Sequence, residues 1–217
     1  MTLAAGATEG YGDIIGHLFT RSDVGALVLH AEGGAQIMAT GREYSIQRAA
    51  DESVTGTAGQ LIPGMTDGDL LRPGTVYHLL GIRHHETDAG LERSHIATFN
   101  PGEDDAQISL DLYDGATGSH EGSMTITLRG GELRQVNNVI EEINRHQNGG
   151  VKRLQVTVDR SAFVKGFRVN ASGDPVTIDQ LPEEPSATNS TMGGKRDTFR
   201  TLDSGGISHD DRLLEDT

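Results

Sequence analysis

The chain has 217 residues, of which 35% are hydrophobic and only 4% aromatic, with 29 glycines, no tryptophan and no cysteine. Many turns and few large core side chains favour short strands over long helices. The formal net charge of −14 argues against nucleic acid or an anionic membrane surface as partners, because both recruit clustered Lys and Arg. The lack of cysteine excludes disulfides and thiolate sites, and no apolar run is long enough to insert into a bilayer.

The first predicted elements belong to an internal repeat, in which residues 1–37 align with a second segment about 125 positions later. Apolar residues and glycines coincide in the two copies. Each copy predicts a short strand, a Gly turn, a short helical segment and a hairpin. The predicted hairpin strands are 26–30 with 35–39 in the first copy, and 153–158 with 162–164 in the second.

A strand-rich block lies between the copies. Its alternating segments end at turn residues such as Asn100-Pro101-Gly102 and Asp114-Gly115. With the second copy, these segments predict an all-β fold, an immunoglobulin-like β-sandwich with short helical segments, preceded by a half-domain repeat. The predicted organisation is a partial, rear-half sandwich over 1–48, a connection over 49–73, a complete sandwich over 74–181 and a disordered polar tail over 182–217.

The half-domain at the start leads us to expect that the chain is a fragment of a longer tandem array. The alternative is a single fold with an internally related N-terminal lobe. Exposed strand edges in 1–48 predict pairing with neighbouring domains or with other copies of the chain.

Several motifs resemble known proteins. They are residues 3–6 (LAAG), 59–64 (GQLIPG), 94–101 (SHIATFNP) and 112–115 (LYDG). These motifs are similar to uncharacterised tandem immunoglobulin-like β-sandwich repeats in the C-terminal regions of large secreted bacterial proteins, some of which carry a subtilisin-like protease domain. The resemblance implies a sandwich fold and an extracellular or cell-surface location, and it implies no activity.

A histidine-rich stretch is the first metal candidate. Its members are His78, His84, His85, Glu86 and His95. Imidazole and carboxylate ligands suit zinc or nickel, and the zinc ligands would be His84, His85, Glu86 and His95. Because His84 and His85 are adjacent, they point to opposite faces of a strand. A solvent-facing loop therefore remains the alternative.

An acidic turn is the second metal candidate, because Glu103, Asp104 and Asp105 offer oxygen ligands for calcium. The spacing lacks an Asp-x-Asp-x-Asp-Gly pattern, which favours a solvated turn. No Gly-x-Ser-x-Gly elbow, Walker loop or dinucleotide motif occurs in the sequence. We therefore expect no enzyme activity, no catalytic residues and no organic cofactor.

The sequence favours a non-catalytic spacer, adhesion or binding module of a larger secreted protein, which would bind through end loops or a sheet edge. Two alternatives stay open. One is a metal-dependent enzyme centred on the histidine-rich stretch. The other is a self-associating filament or surface-layer subunit.

Overall fold

The computed structural model describes residues 2–20, 25–88, 90–145, 149–170 and 175–183, apart from the side chains of 43–45, 47, 57, 58, 60 and 87. The predicted tail therefore lies outside the described residues from 184 onward. The described chain is mostly antiparallel β-structure with two short α-helices, so the all-β, sandwich-like prediction is confirmed. None of its helices has the length and apolarity needed to cross a membrane.

The described residues form strands, two short α-helices and a 3₁₀ turn. The strands are β1 (Thr40–Arg48), β2 (Val54–Pro63), β3 (Tyr77–Thr87), β4 (Gly90–Phe99), β5 (Ala106–Asp114), β6 (His120–Leu128), β7 (Leu133–Val136), β8 (Val151–Val158), β9 (Phe163–Val169), β10 (Pro175–Ile178) and β11 (Gln180–Pro182). The helices are α1 (Ile14–Phe19), α2 (Val139–Ile143) and a 3₁₀ turn at Asp67–Asp69.

Strand β3 joins the two layers of the sandwich. Its first part pairs with β8 and β11, whereas its last part, from His84, pairs with β4. A bulge lies shortly before this change, between Leu80 and Ile82, where Gly81 has a φ of +80°. Glycine adopts this conformation without strain, and bulges bend the strand that carries them. The sheet order is β10-β9-β4-β3-β8-β5-β6, with β7 paired to β4.

The hydrophobic core lies between these layers and consists of inward-facing residues of alternating strands. In β5 and β8, every second residue is buried. The largest fully buried side chains are Leu71, Leu79, Ile82, Ile96, Ile108, Leu110, Leu112, Ile126, Leu128, Val139, Ile140 and Leu154. Helix α2 contributes Val139 and Ile140, so it closes the core although it is only 5 residues long.

The N-terminal region differs from its predicted form. The described residues 25–39 contain no strand, so the strands predicted at 26–30 and 35–39 are wrong. The helical segment alone recurs: α1 begins at Ile14 and α2 at Val139, the aligned position. The described part of residues 1–48 therefore does not form a rear-half sandwich, because matching apolar spacing did not bring its side chains onto a common core.

The range 49–73, predicted as a connection, contains ordered elements. Strand β2 pairs with β1 in a separate two-stranded sheet. Leu71 follows the 3₁₀ turn, forms a bridge to Ala162 and is completely buried. The main sheet begins at Tyr77 and ends at Pro182.

Candidate functional site

The outer, solvent-facing surface of the β3-β8-β5-β6 sheet carries a connected row of polar and aromatic side chains. Alternation places them opposite the buried residues of each strand. Register places His78 beside Gln155, Gln155 beside Asp111 and Asp111 beside Ser123, with Arg153, Tyr113 and His120 in the neighbouring row. We call the set His78, Arg153, Tyr113, His120, Ser123 and Asp111 the outer-face strip.

Arg153 is the centre of this strip. Its guanidinium carbon lies 4.3 Å from the centroid of the Tyr113 ring, within cation–π range. Its Nη1 lies 3.1 Å from Nδ1 of His78. Since arginine can only donate, Nδ1 of His78 accepts this bond. The guanidinium is therefore held between an aromatic ring and an imidazole.

The strip continues from Tyr113 into β6. The Tyr113 and His120 rings meet edge to face with centroids 5.2 Å apart. Nε2 of His120 lies 3.0 Å from the hydroxyl oxygen of Ser123, which donates a short hydrogen bond to Asp111. Each side chain thus limits the rotamers of the next, so the strip presents its donors and acceptors in a fixed arrangement.

Electrostatics at His78 favour its neutral form. Burial lowers the pKa of His78, and the nearby charge of Arg153 lowers it further, while Glu183 opposes both effects. The Glu183 carboxylate lies 3.8 Å from Nε2 of His78. A neutral imidazole is needed here because only an unprotonated Nδ1 can accept from Arg153.

Beyond the outer-face strip, the same sheet face carries uncharged polar side chains. Toward its other end, Ser109 registers with Thr125 and Thr157, and Gln107 registers with Thr127. On the β3 side the strip is bordered by two leucines, Leu80 and Leu181, which are 48% and 51% exposed. The strip therefore combines charged, aromatic and apolar groups on an open surface.

The predicted zinc ligands form hydrogen bonds with different side chains and do not converge on one point. Nδ1 of His84 lies 2.9 Å from Oδ1 of Asn138. Nε2 of His95 accepts from Nε of Arg93 at 2.9 Å, and its Nδ1 lies 2.8 Å from Oδ1 of Asn137. The nitrogen lone pair that would bind a metal at His95 is thus engaged by Arg93.

The remaining predicted ligands do not converge either. His85 and Glu86 lie beside Glu92 and Leu91 in the β3-β4 hairpin. Within the described chain, no three His, Asp or Glu side chains are grouped so that they could hold a metal ion. The structure therefore supplies no ligand set for the predicted zinc site, because adjacent strand residues diverge and asparagines bind His84 and His95.

The acidic turn likewise forms no calcium cage. Glu103, Asp104 and Asp105 are exposed, and Asp104 pairs with Arg160 at 3.1 Å. The turn is organised instead by Asn100, which is 1% exposed. Its amide nitrogen donates to the carbonyl oxygens of Asp104, Leu128 and Arg129, and its Oδ1 accepts from the N–H of Gly102.

Sequence reasoning missed the outer-face strip because its members come from strands that are far apart in the chain. The sequence does contain a pattern from which the outward-facing positions can be predicted. The alternation in 107–113 and 153–157 identifies the outward positions, and these change from Ser, Thr and Gln to Arg, Tyr and Asp toward one end. Sequence alone does not show that these ends lie side by side.

The fold and this surface define a β-rich module with an open, polar sheet face. No protein-family model matches the chain, and no curated protein matches it. Among solved structures, the chain is similar to the Anabaena sensory rhodopsin transducer, with 12% identity and a TM-score of 0.38 over 46% of this chain and 92% of the transducer.

Proposed function

We propose that the chain is a non-catalytic binding module that recognises a carbohydrate through the outer-face strip. The observation that carries this proposal is the connected contact path from His78 through Arg153, Tyr113 and His120 to Asp111. A solvent-facing sheet needs only short polar side chains, as the Ser and Thr residues at the other end of this face illustrate. Ordering long side chains costs entropy, so a fixed network at one end indicates a selected surface.

The chemistry of the strip suits a hydroxyl-rich ligand. Arg153 has donors beyond the one that Nδ1 of His78 accepts, while Asp111 supplies acceptor oxygens, and sugar hydroxyls need both. Leu80 and Leu181 offer apolar contact at the border. From β3 to β6 the strip covers about 14 Å, given strand spacings of roughly 4.8 Å. This is a surface for an extended chain rather than a pocket for a small substrate.

The proposal also includes a cellular location for the module. Following the resemblance of its motifs, the module would act outside the cell or at its surface, as an adhesion or spacer domain of a larger secreted protein. Arrays of such modules multiply weak contacts with a repeating polymer. A flat, weakly binding face suits that use.

A glycan array probed with the full chain tests the binding function. We expect a subset of extended glycans to bind, and we expect Arg153→Ala and Tyr113→Ala each to weaken that binding at least about tenfold, which is roughly 1.4 kcal/mol. Thr157→Ala is the matched control, because it lies on the same face outside the strip. Binding that survives both strip variants, or no glycan bound by the wild type, would contradict the proposal.

Self-association is a second candidate, supported by the outer edge of β6 from Ser123 to Leu128, which pairs with no described strand, whereas nearer its start the carbonyl oxygen of Glu121 accepts from Nδ2 of Asn144. This strand is 9 residues long, ends the sheet order and pairs with β5 alone among the described strands. It contains no Lys, Arg or Pro, the residues that commonly block edge pairing. Light scattering over a concentration series should show oligomers that Thr127→Lys reduces and Thr157→Lys leaves intact. A monomer at all concentrations would exclude this role.

A further inference from the structure

A buried lysine lies between two carboxylates at the end of the sandwich away from Asn100. Lys152 of β8 registers directly with Asp114 of β5. Its Nζ is 2.8 Å from Oδ2 of Asp114 and 2.7 Å from Oε1 of Glu121. The side chains of Lys152, Asp114 and Glu121 are only 4%, 21% and 11% exposed.

Charge and hydrogen bonding at this triad are not balanced. One ammonium faces two carboxylates, and Oε2 of Glu121 is buried without a hydrogen-bond partner in the described chain. Buried charges and unpaired buried polar atoms both cost stability. The arrangement therefore calls for a role beyond an ordinary ion pair.

We propose that Lys152 and Asp114 condense into an intramolecular isopeptide bond, with Glu121 carrying the proton between them. The reaction joins an ammonium and a carboxylate into an amide and releases one water. It is redox-neutral, and it needs no cofactor or co-reactant. Lys152 and Glu121 are largely buried, which limits the access of water to the reacting amine.

The protons and bonds of the triad can be followed through the reaction. Glu121 takes one proton from Nζ and passes it to Oδ2 of Asp114, and the neutral amine then attacks Cγ of the protonated carboxyl to form the C–N bond. The Cγ–Oδ2 bond then breaks. Oδ2 leaves as water with two protons that started on Nζ, one of them delivered by Glu121. Nζ retains one hydrogen, as an amide requires.

The other oxygen of Asp114 is prepared for the charge that develops on it. Oδ1 accepts from the N–H of Ala116 at 3.0 Å, the N–H of Thr117 at 2.8 Å and the Thr117 hydroxyl at 2.9 Å. Donors fixed in this way stabilise an oxyanion such as the one formed when Nζ attacks. Once Oδ2 carries the proton from Glu121, Cγ of Asp114 is therefore an electrophile whose oxyanion has hydrogen-bond donors in place.

Before reaction the two groups are ionised. The hydrogen bond from Lys152, followed by that from the Thr117 N–H, holds the pKa of Asp114 well below its usual range. Burial alone lowers the pKa of Lys152, but its bonds to Asp114 and Glu121 outweigh burial and raise that pKa overall. Bond formation therefore requires that a proton move from Lys152 to Asp114, and Glu121 lies where it can carry that proton.

Mass spectrometry of the full wild-type chain, unfolded after purification, tests for the isopeptide bond. We expect an intact mass lower than the sequence mass by one water. Digestion with trypsin should give a branched peptide that joins Asp114 to Lys152, because an acylated lysine is no longer cleaved. A chain of full mass with free Lys152 overturns the proposal and identifies the triad as an ion pair.

Loss of water has a second source that the digest must separate. Asp114 precedes Gly115, and an Asp-Gly pair can lose water within one peptide by cyclising onto the next backbone nitrogen. That product persists in Lys152→Arg, whereas the isopeptide bond does not. Water loss confined to a linear peptide in the wild type also overturns the proposal.

Two variants test the role of each group. Glu121→Gln keeps the shape of the side chain but cannot accept the proton, so the fraction of cross-linked chains should fall at least tenfold. Lys165→Arg is the matched control, since Lys165 forms an ion pair with Asp179 at 2.7 Å away from the triad, and it should leave the mass loss unchanged. A cross-link retained in Glu121→Gln removes Glu121 from the mechanism.

Discussion

In the N-terminal region, residues 1–37 have an apolar spacing similar to that of the segment 126–164 of the sandwich, but the two segments differ greatly in burial. Helix α1 has no buried residue, whereas the aligned α2 buries Val139 and Ile140. None of the described leucines and isoleucines up to residue 63 is buried, although Ile14, Ile15 and Ile62 are half-buried, and the fully buried ones all lie from Leu71 onward. Apolar periodicity therefore marks a face that can be buried, and only a facing layer determines whether it is.

The same contrast applies to the helix starts. Asp13 accepts a hydrogen bond from the N–H of Gly16 and caps α1 in the usual manner. Asn138 precedes α2 with a φ of 58° and makes no such cap. Its side chain contacts His84 and Glu141 instead. Helix α1 thus has a good local cap but contributes no buried residue, whereas α2 lacks a cap hydrogen bond and is stabilised by tertiary contacts.

The largest expected difference between the regions comes from matched leucine truncations. Leu154→Ala removes a fully buried side chain and should lower the free energy of unfolding by about 2–5 kcal/mol. Leu29→Ala, at a position that is 45% exposed, should change it by less than about 0.5 kcal/mol. Denaturant unfolding measures both. A comparable loss in the two variants would show that the N-terminal region packs against a core in solution.

Turn residues give the next comparison. Asn100→Ala removes a buried amide that serves three carbonyl oxygens and one N–H, so it should cost about 2–3 kcal/mol. Asp51→Ala removes bonds to the N–H and hydroxyl of Ser53 in the exposed β1-β2 turn, and its cost should be much smaller. Thermal unfolding of both variants provides the test. Equal losses would contradict the distinction between a buried and an exposed turn.

The smallest expected effect is the pH dependence that arises at His78. Because its pKa is lowered on folding, the unfolded chain binds a proton more readily below about pH 6.5. Stability from the neutral imidazole is therefore present above that pH and is lost as the pH falls toward the folded pKa. His78→Gln should reduce the decrease in unfolding free energy between about pH 7 and pH 5. The same decrease in both proteins would exclude His78 as its source.

The sequence determined the strand positions of the sandwich, because alternation and turn residues are local properties. The alternating segment that ends at Asp114-Gly115 and the predicted strand 153–158 are β5 and β8, and the predicted ends agree with the structure within one or two residues. The histidine-rich stretch was visible too, but the asparagines that bind His84 and His95 lie on another part of the chain. A ligand set depends on distances that sequence spacing does not fix.

By itself, the sequence established an acidic, cysteine-free, all-β chain with short strands, since composition and periodicity act residue by residue. Only the tertiary structure decided which of two similar segments reached a core, because burial requires an opposing layer. It also brought Arg153 onto Tyr113, and Lys152 between Asp114 and Glu121. These contacts cross strands, and strand order and register are set by the whole fold.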